Sequence, residues 1–107
     1  MSGPATVRVC AGDGGAVVIT ISGEVDLATA PGVETEILAA IGNKTTAVTV
    51  DLSDVDYLDS AGLRVVFTLA TRLAELRTTL DLVAEPGSIS RRVIELSGFT
   101  SLGTLRP

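Results

Sequence analysis

The chemistry-bearing residues of this 107-residue chain gather in one stretch, Asp51 to Gly62, which reads D-L-S-D-V-D-Y-L-D-S-A-G. Four of the 13 acidic residues, Asp51, Asp54, Asp56 and Asp59, lie there with no Lys or Arg among them, and Ser60 follows directly. A serine hydroxyl at the start of a helix has two uses. It caps the helix by accepting a bond from an amide one turn in, worth about 1 kcal/mol. Alternatively it accepts a phosphoryl group, whose charge is favoured by the free amides and the positive end of the helix dipole. Such a phosphate adds about −1.5 to −2 charges beside Asp56 and Asp59, enough to change what this surface binds. The first use is structural and the second is a switch; neither makes the chain a catalyst.

Catalytic readings of the same residues fail one at a time. The chain contains no His, which removes Ser-His-Asp and Cys-His catalysis, His-ligated metals and imidazole pH switching together. A nucleophile elbow requires G-x-S-x-G, and Leu58 stands where its first Gly belongs. The run Gly12 to Gly15 has neither the spacing nor the Lys of a phosphate loop. Receiver domains phosphorylated on aspartate, which Asp51 at a strand end brings to mind, carry an acidic pair after the first strand and a Lys near the last, and both are missing here. The clustered carboxylates read as a solvated turn and not as a Mg²⁺ site. The chain is therefore expected to be no enzyme and to hold no metal or cofactor of its own. Taken alone, Asp26 in S-G-E-V-D-L reads as a turn or capping residue, Glu24 as solvated and Ser53 as a local turn former.

Charge and composition narrow the partners. A net charge of −5, from 8 basic and 13 acidic residues, repels phosphate backbones and anionic lipid, so neither nucleic acid nor a membrane surface is expected to bind. One cysteine, Cys10, makes no intramolecular disulfide and reads as a strand filler in a reducing compartment. The N-terminus shows no basic segment followed by an apolar run, and no apolar stretch reaches the roughly 18 residues that span a bilayer, so a cytoplasmic protein is expected. Two Phe, one Tyr and no Trp require an aliphatic core.

The elements that must position Ser60 follow from periodicity and punctuation. At this length the chain has room for one domain, residues 1–107. Val7, Val9 and Ala11 alternate before the glycine-rich turn, and Val17, Ile19 and Ile21 alternate after it, which predicts a hairpin. Thr29 as N-cap, Pro31 in the first turn and Val33, Ile37, Ala40 and Ile41 predict a helix that Gly42 ends. Val48, Val50 and Leu52 form the next strand. From Ser60, the residues Leu63, Val66, Phe67, Ala70, Leu73 and Ala74 predict the core face of an amphipathic helix, while Val65, Leu69 and Leu76 read as a flanking stripe and not as a partner groove. Leu80, Leu82 and Ala84 give a strand. Ser88 caps a helix carrying Ile89, Val93 and Leu96, Gly98 and Phe99 suit a left-handed cap with an apolar contact, and a short strand follows from Leu102 to Leu105. The order β-β-α-β-α-β-α-β predicts an α/β fold, a mixed four- to five-stranded sheet with helices mainly on one face.

Three stretches together resemble a known family. I-S-G-E-V-D-L at 21–27, V-D-L-S-D-V-D-Y-L-D-S-A-G-L at 50–63 and R-R-V-I-E-L-S-G-F at 91–99 are similar to the STAS domain family, and more narrowly to the bacterial anti-sigma factor antagonists of partner-switching systems. The likeness runs from about Val17 to Leu105. It implies a protein that binds an anti-sigma factor, itself a serine kinase of the GHKL ATPase type, and so frees a sigma factor for transcription. It further implies that the kinase phosphorylates Ser60 of D-S-A-G-L, that a PP2C-like, metal-dependent phosphatase restores it, and that ATP and Mg²⁺ come with the kinase. Asp59 and Asp26 fall where the family places residues near the kinase-binding surface, and the exposed helix start, Ala61, Gly62 and Arg64, joins them as candidate contacts. Two departures stand out: family members usually continue through a C-terminal helix where this chain reaches Pro107, and R-T-T-L at 77–80 replaces a Gly-containing turn. A second function compatible with the same family is a non-switching scaffold subunit of a sensor complex or lipid-transport ATPase, with Ser60 only a helix cap.

Overall fold

A computed structural model of the chain describes residues 4–98 and 104–107. Its elements are β1 (Thr6–Ala11), β2 (Ala16–Val25), α1 (Ala30–Ala39), β3 (Ala47–Leu58), α2 (Ser60–Glu75), β4 (Thr79–Val83), α3 (Ile89–Leu96) and β5 (Thr104–Arg106). The five strands form one sheet in the order β1-β2-β3-β4-β5. β1 and β2 pair antiparallel through the tight turn at Gly12–Gly15, and the later neighbours pair parallel. Each parallel crossover therefore steps to the adjacent strand in the same direction. Right-handed crossovers that all step one way place all their helices on one face.

Burial agrees. Ile19 and Ile21 of β2, Val48, Val50 and Leu52 of β3, and Leu80 and Leu82 of β4 join Val33 and Ile37 of α1, Val66, Leu69 and Leu73 of α2 and Ile94 of α3 in one core. Every one of its fully buried members is aliphatic, as the scarcity of aromatics requires. The cysteine is exposed on edge strand β1, so it fills no core position.

β3 departs from the expected alternation. Its buried residues are spaced by two from Val48 to Leu52 and then by three, at Val55 and Leu58. Two register shifts against β2 account for this: Thr20 pairs with Asp51 but Ser22 with Asp54, and Gly23 pairs with Val55 but Glu24 with Tyr57. Each shift inserts one extra residue into β3, which is a β-bulge. Strict alternation past Leu52 turns Asp54 and Asp56 into the core, at a cost no unpaired carboxylate there repays. The bulges keep Leu52, Val55 and Leu58 inward and the acids outward. The Asp51 carboxylate accepts the Ser53 amide at 2.9 Å at the first of them. The acidic run is thus strand, not the solvated turn expected.

The helices also differ from expectation in detail. On α2 the core face is Gly62, Val65, Val66, Leu69, Ala70 and Leu73, so Val65 and Leu69 are core and Ala74 is exposed. α1 ends at Ala39, before Gly42. On α3 the buried positions are Ser90 and Ile94, while Ile89 and Leu96 are 54% and 78% exposed. Gly98 takes the left-handed conformation expected of a cap, φ 80°; Phe99 and Leu102 lie outside the described residues.

α2 stops in a Schellman motif: the Thr78 amide donates to the Leu73 carbonyl at 2.9 Å and the Arg77 amide to Ala74 at 3.1 Å. This motif needs a left-handed residue, and Arg77 supplies it at φ 55° without being Gly. The R-T-T-L turn therefore has the backbone of a glycine turn and carries its strain. Replacing Arg77 by Gly is expected to stabilise the fold by about 1 kcal/mol, a rise in Tm of roughly 4 °C; an unchanged or lower Tm by calorimetry contradicts it.

Candidate functional site

Ser60 sits where β2 and β3 end together. Val25 and Leu58 are paired, so the chain leaves both strands at the same level. From β2 it turns through Asp26–Thr29 into α1; from β3 it turns at Asp59 into α2. The Asp59 amide donates to the Val25 carbonyl at 3.2 Å, tying the two exits together.

Asp59 is the N-cap of α2. Its Oδ1 accepts the amides of Ala61 at 2.9 Å and Gly62 at 3.1 Å, and its carbonyl accepts the Leu63 amide at 2.9 Å. Ser60 is therefore the first helical residue and not the cap. It is exposed, and among the described residues its hydroxyl makes no hydrogen bond. Because Asp59 already serves the cap amides, the Ser60 hydroxyl is left free for solvent or a partner.

Gly62 is fixed by space. A Cβ built on it lies 2.5 Å from Leu58 Cδ1, 2.9 Å from the Val25 carbonyl oxygen and 3.0 Å from Val25 Cγ1. The missing side chain lets α2 begin directly on the strand ends, which sets how far Ser60 projects.

Asp26 performs a matching task at α1. Its Oδ1 accepts the amides of Ala28 and Thr29, both at 3.0 Å, and its carbonyl accepts the Ala30 amide at 2.8 Å. Thr29 occupies the N-cap position but makes no side-chain cap; its hydroxyl donates to the Glu24 carbonyl at 2.9 Å and accepts the Asp26 amide at 3.0 Å. The turn so held presents Leu27, which is 80% exposed.

Between the starts of α1 and α2 runs an open groove of about 460 Å³. Ser60, Ala61, Arg64 and Val65 line it from α2, and Leu27, Ala30, Pro31 and Glu34 from the α1 side. Of the six residues named from the sequence, Ser60, Ala61 and Arg64 reach the groove. Asp26, Asp59 and Gly62 shape the backbone that forms it. The α1 wall was missed. Its one signal is Leu27, a large apolar residue in the Asp26–Thr29 turn that falls outside the helix stripe.

Among the described residues, no three Asp, Glu or Cys side chains converge as a metal site, and no helix is long and apolar enough to cross a membrane.

The STAS domain model matches residues 9–107. The anti-sigma-F factor antagonist RsfB of Mycobacterium tuberculosis is 35% identical over 100 residues, covering 92% of this chain and 80% of that protein. The crystal structure of an anti-sigma factor antagonist from Mycobacterium paratuberculosis superposes with a TM-score of 0.87 at 33% identity, covering all of this chain and 91% of the other. SpoIIAA, an anti-sigma factor antagonist solved in its unphosphorylated form, shares the fold with a TM-score of 0.76 at 19% identity, over 95% of this chain and 89% of its own. The chain belongs to the STAS domain family.

The capping assignment is directly testable. Asp59→Ala is expected to destabilise by about 1 kcal/mol, whereas Ser60→Ala shifts stability by less than about 0.5 kcal/mol. A urea titration in which the two costs are reversed makes Ser60 the cap. Gly62→Ala is expected to cost about 1–3 kcal/mol through overpacking against Val25 and Leu58; a neutral result means α2 does not seat as closely as described.

Proposed function

We propose that this chain is an anti-sigma factor antagonist: in its unmodified form it binds an anti-sigma factor through the α1–α2 groove, and phosphorylation of Ser60 releases that partner. The observation that carries the reading is an exposed serine, free of capping duty, on the rim of an apolar-walled groove. The likeness to RsfB and to the M. paratuberculosis antagonist supports it, and SpoIIAA, of the same fold, has been solved in a phosphorylated form.

The chain is a ligand and a substrate, not an enzyme. The chain has no His to activate Ser60, and the carboxylate next to it in sequence, Asp59, holds two backbone amides. Catalysis then belongs to the partner, a serine kinase of the GHKL ATPase type that brings ATP and Mg²⁺. Ser60 Oγ attacks the γ-phosphorus, the bond to the β-phosphate oxygen breaks, ADP leaves, and the hydroxyl proton passes to a base of the kinase. A PP2C-like phosphatase hydrolyses the phosphoserine and returns inorganic phosphate. This exchange belongs in the cytoplasm, where sigma factors meet RNA polymerase.

Release follows from charge and fit. The new dianion follows Asp59 directly and shares its groove with Glu34, on a chain already at −5, and it occupies the rim a partner must cross. Losing about 2.7 kcal/mol weakens binding a hundredfold. Pull-downs from the source organism with Ser60→Ala and Ser60→Asp baits test the reading: the Ala protein is expected to retain a GHKL-type kinase that the Asp protein loses. Identical partners on both baits favour the scaffold function, with Ser60 having no switching role.

A further inference from the structure

Ser60 and Arg64 stand four residues apart on α2 and line the same groove, with Glu34 lining it from α1. Arg64 is exposed, and among the described residues neither it nor Glu34 forms an ion pair; the salt bridges present are Arg91–Glu95 and Arg106–Asp81. The guanidinium is thus uncommitted, within one helical turn of the hydroxyl.

Side chains at i and i+4 lie over one another on a helix, about 5–6 Å apart at Cβ, and the favourable order puts the anion on the N-terminal side. A phosphate on Ser60 and the guanidinium of Arg64 have that order. Arginine binds phosphate with two parallel N–H···O bonds, a stronger and more directional contact than a point charge makes. Asp59 does not compete on equal terms, since its Oδ1 already accepts two amides.

We propose that Arg64 is a two-position element of the switch, an inference that rests on Ser60 being the phosphorylated residue. In the unmodified protein its guanidinium belongs to the groove and meets an acidic group of the docked anti-sigma factor. Once Ser60 carries phosphate, Arg64 turns onto it and leaves the groove. Phosphorylation then acts twice: it adds a dianion at the rim and withdraws the groove's cation, leaving Glu34 to face the partner's acid. Part of the affinity loss comes from that withdrawal and disappears when Arg64 is absent.

Protein carrying genetically encoded phosphoserine at position 60 tests this without any kinase. By ³¹P NMR titration, the second ionisation of the phosphate is expected about half a pH unit lower in the wild type than in Arg64→Ala. Arg64→Lys, which keeps the charge and loses the fork, should fall between them. Arg64 is solvent-exposed, so these substitutions leave the core intact. Equal titrations in all three proteins overturn the pairing. Affinities for the anti-sigma factor recovered with the Ser60→Ala bait complete the test: phosphate should weaken wild-type binding about a hundredfold and Arg64→Ala binding tenfold or less. Equal factors overturn the withdrawal. Phosphate that leaves wild-type affinity unchanged overturns the switching function itself, while the NMR comparison still decides whether Arg64 holds the phosphate.

Discussion

The seat of α2 on the strand ends is the constraint from which the site follows. There is no room at Gly62 for a methyl group between the helix and the Val25 carbonyl, so the first turn of α2 lies directly on the paired ends of β2 and β3. That contact fixes the height and rotation of the helix start. Asp59 then has its carboxylate under the Ala61 and Gly62 amides, and Ser60, one residue on, points away from the core. The same strand pairing brings the Asp26 turn alongside and, with it, Leu27 and the start of α1. The groove is the space left between two helices that begin at the same level of one sheet.

Legibility in the sequence tracked how local the cause was. The element order, the aliphatic core and the single-faced helix layer were readable because alternation, helical spacing and the right-handed crossover act on short stretches. The acidic run at Asp51–Asp59 was read as a turn because alternation fails after Leu52. It fails through two bulges set by pairing with β2, a partner some thirty residues away in sequence. Ser60 was weighed as a cap because serine and aspartate are about equally good caps. Only the position of α2 on Val25 and Leu58 decides that Asp59 takes the role. The buried face of α2 was misjudged at Val65 and Leu69 for a related reason: with apolar residues on most of the helix surface, composition does not say which stripe meets the sheet. Arg77 hid a glycine-type turn because nothing in its side chain announces a positive φ.

The proposed division of chemistry between this chain and a partner has a physical basis. On the proposed function the chain, which has no His and whose Asp59 carboxylate is engaged as a cap, supplies an acceptor hydroxyl and a surface, and the partner supplies the catalyst. Its negative charge suits the proposed switch, which adds more of the same sign to a groove with apolar walls and one cation, Arg64. On the proposed function a phosphate at Ser60 disturbs both without touching the core, because the exposed hydroxyl makes no hydrogen bond among the described residues.

Phosphoryl transfer on the intact protein tests the central claim most directly. The kinase recovered with the Ser60→Ala bait is incubated with ATP, Mg²⁺ and the wild-type chain, and the product is read by intact mass and fragment mapping. One phosphate is expected, on Ser60, and none on Ser60→Ala under the same conditions. Phosphate on another residue, or no transfer to a folded wild-type chain, contradicts it.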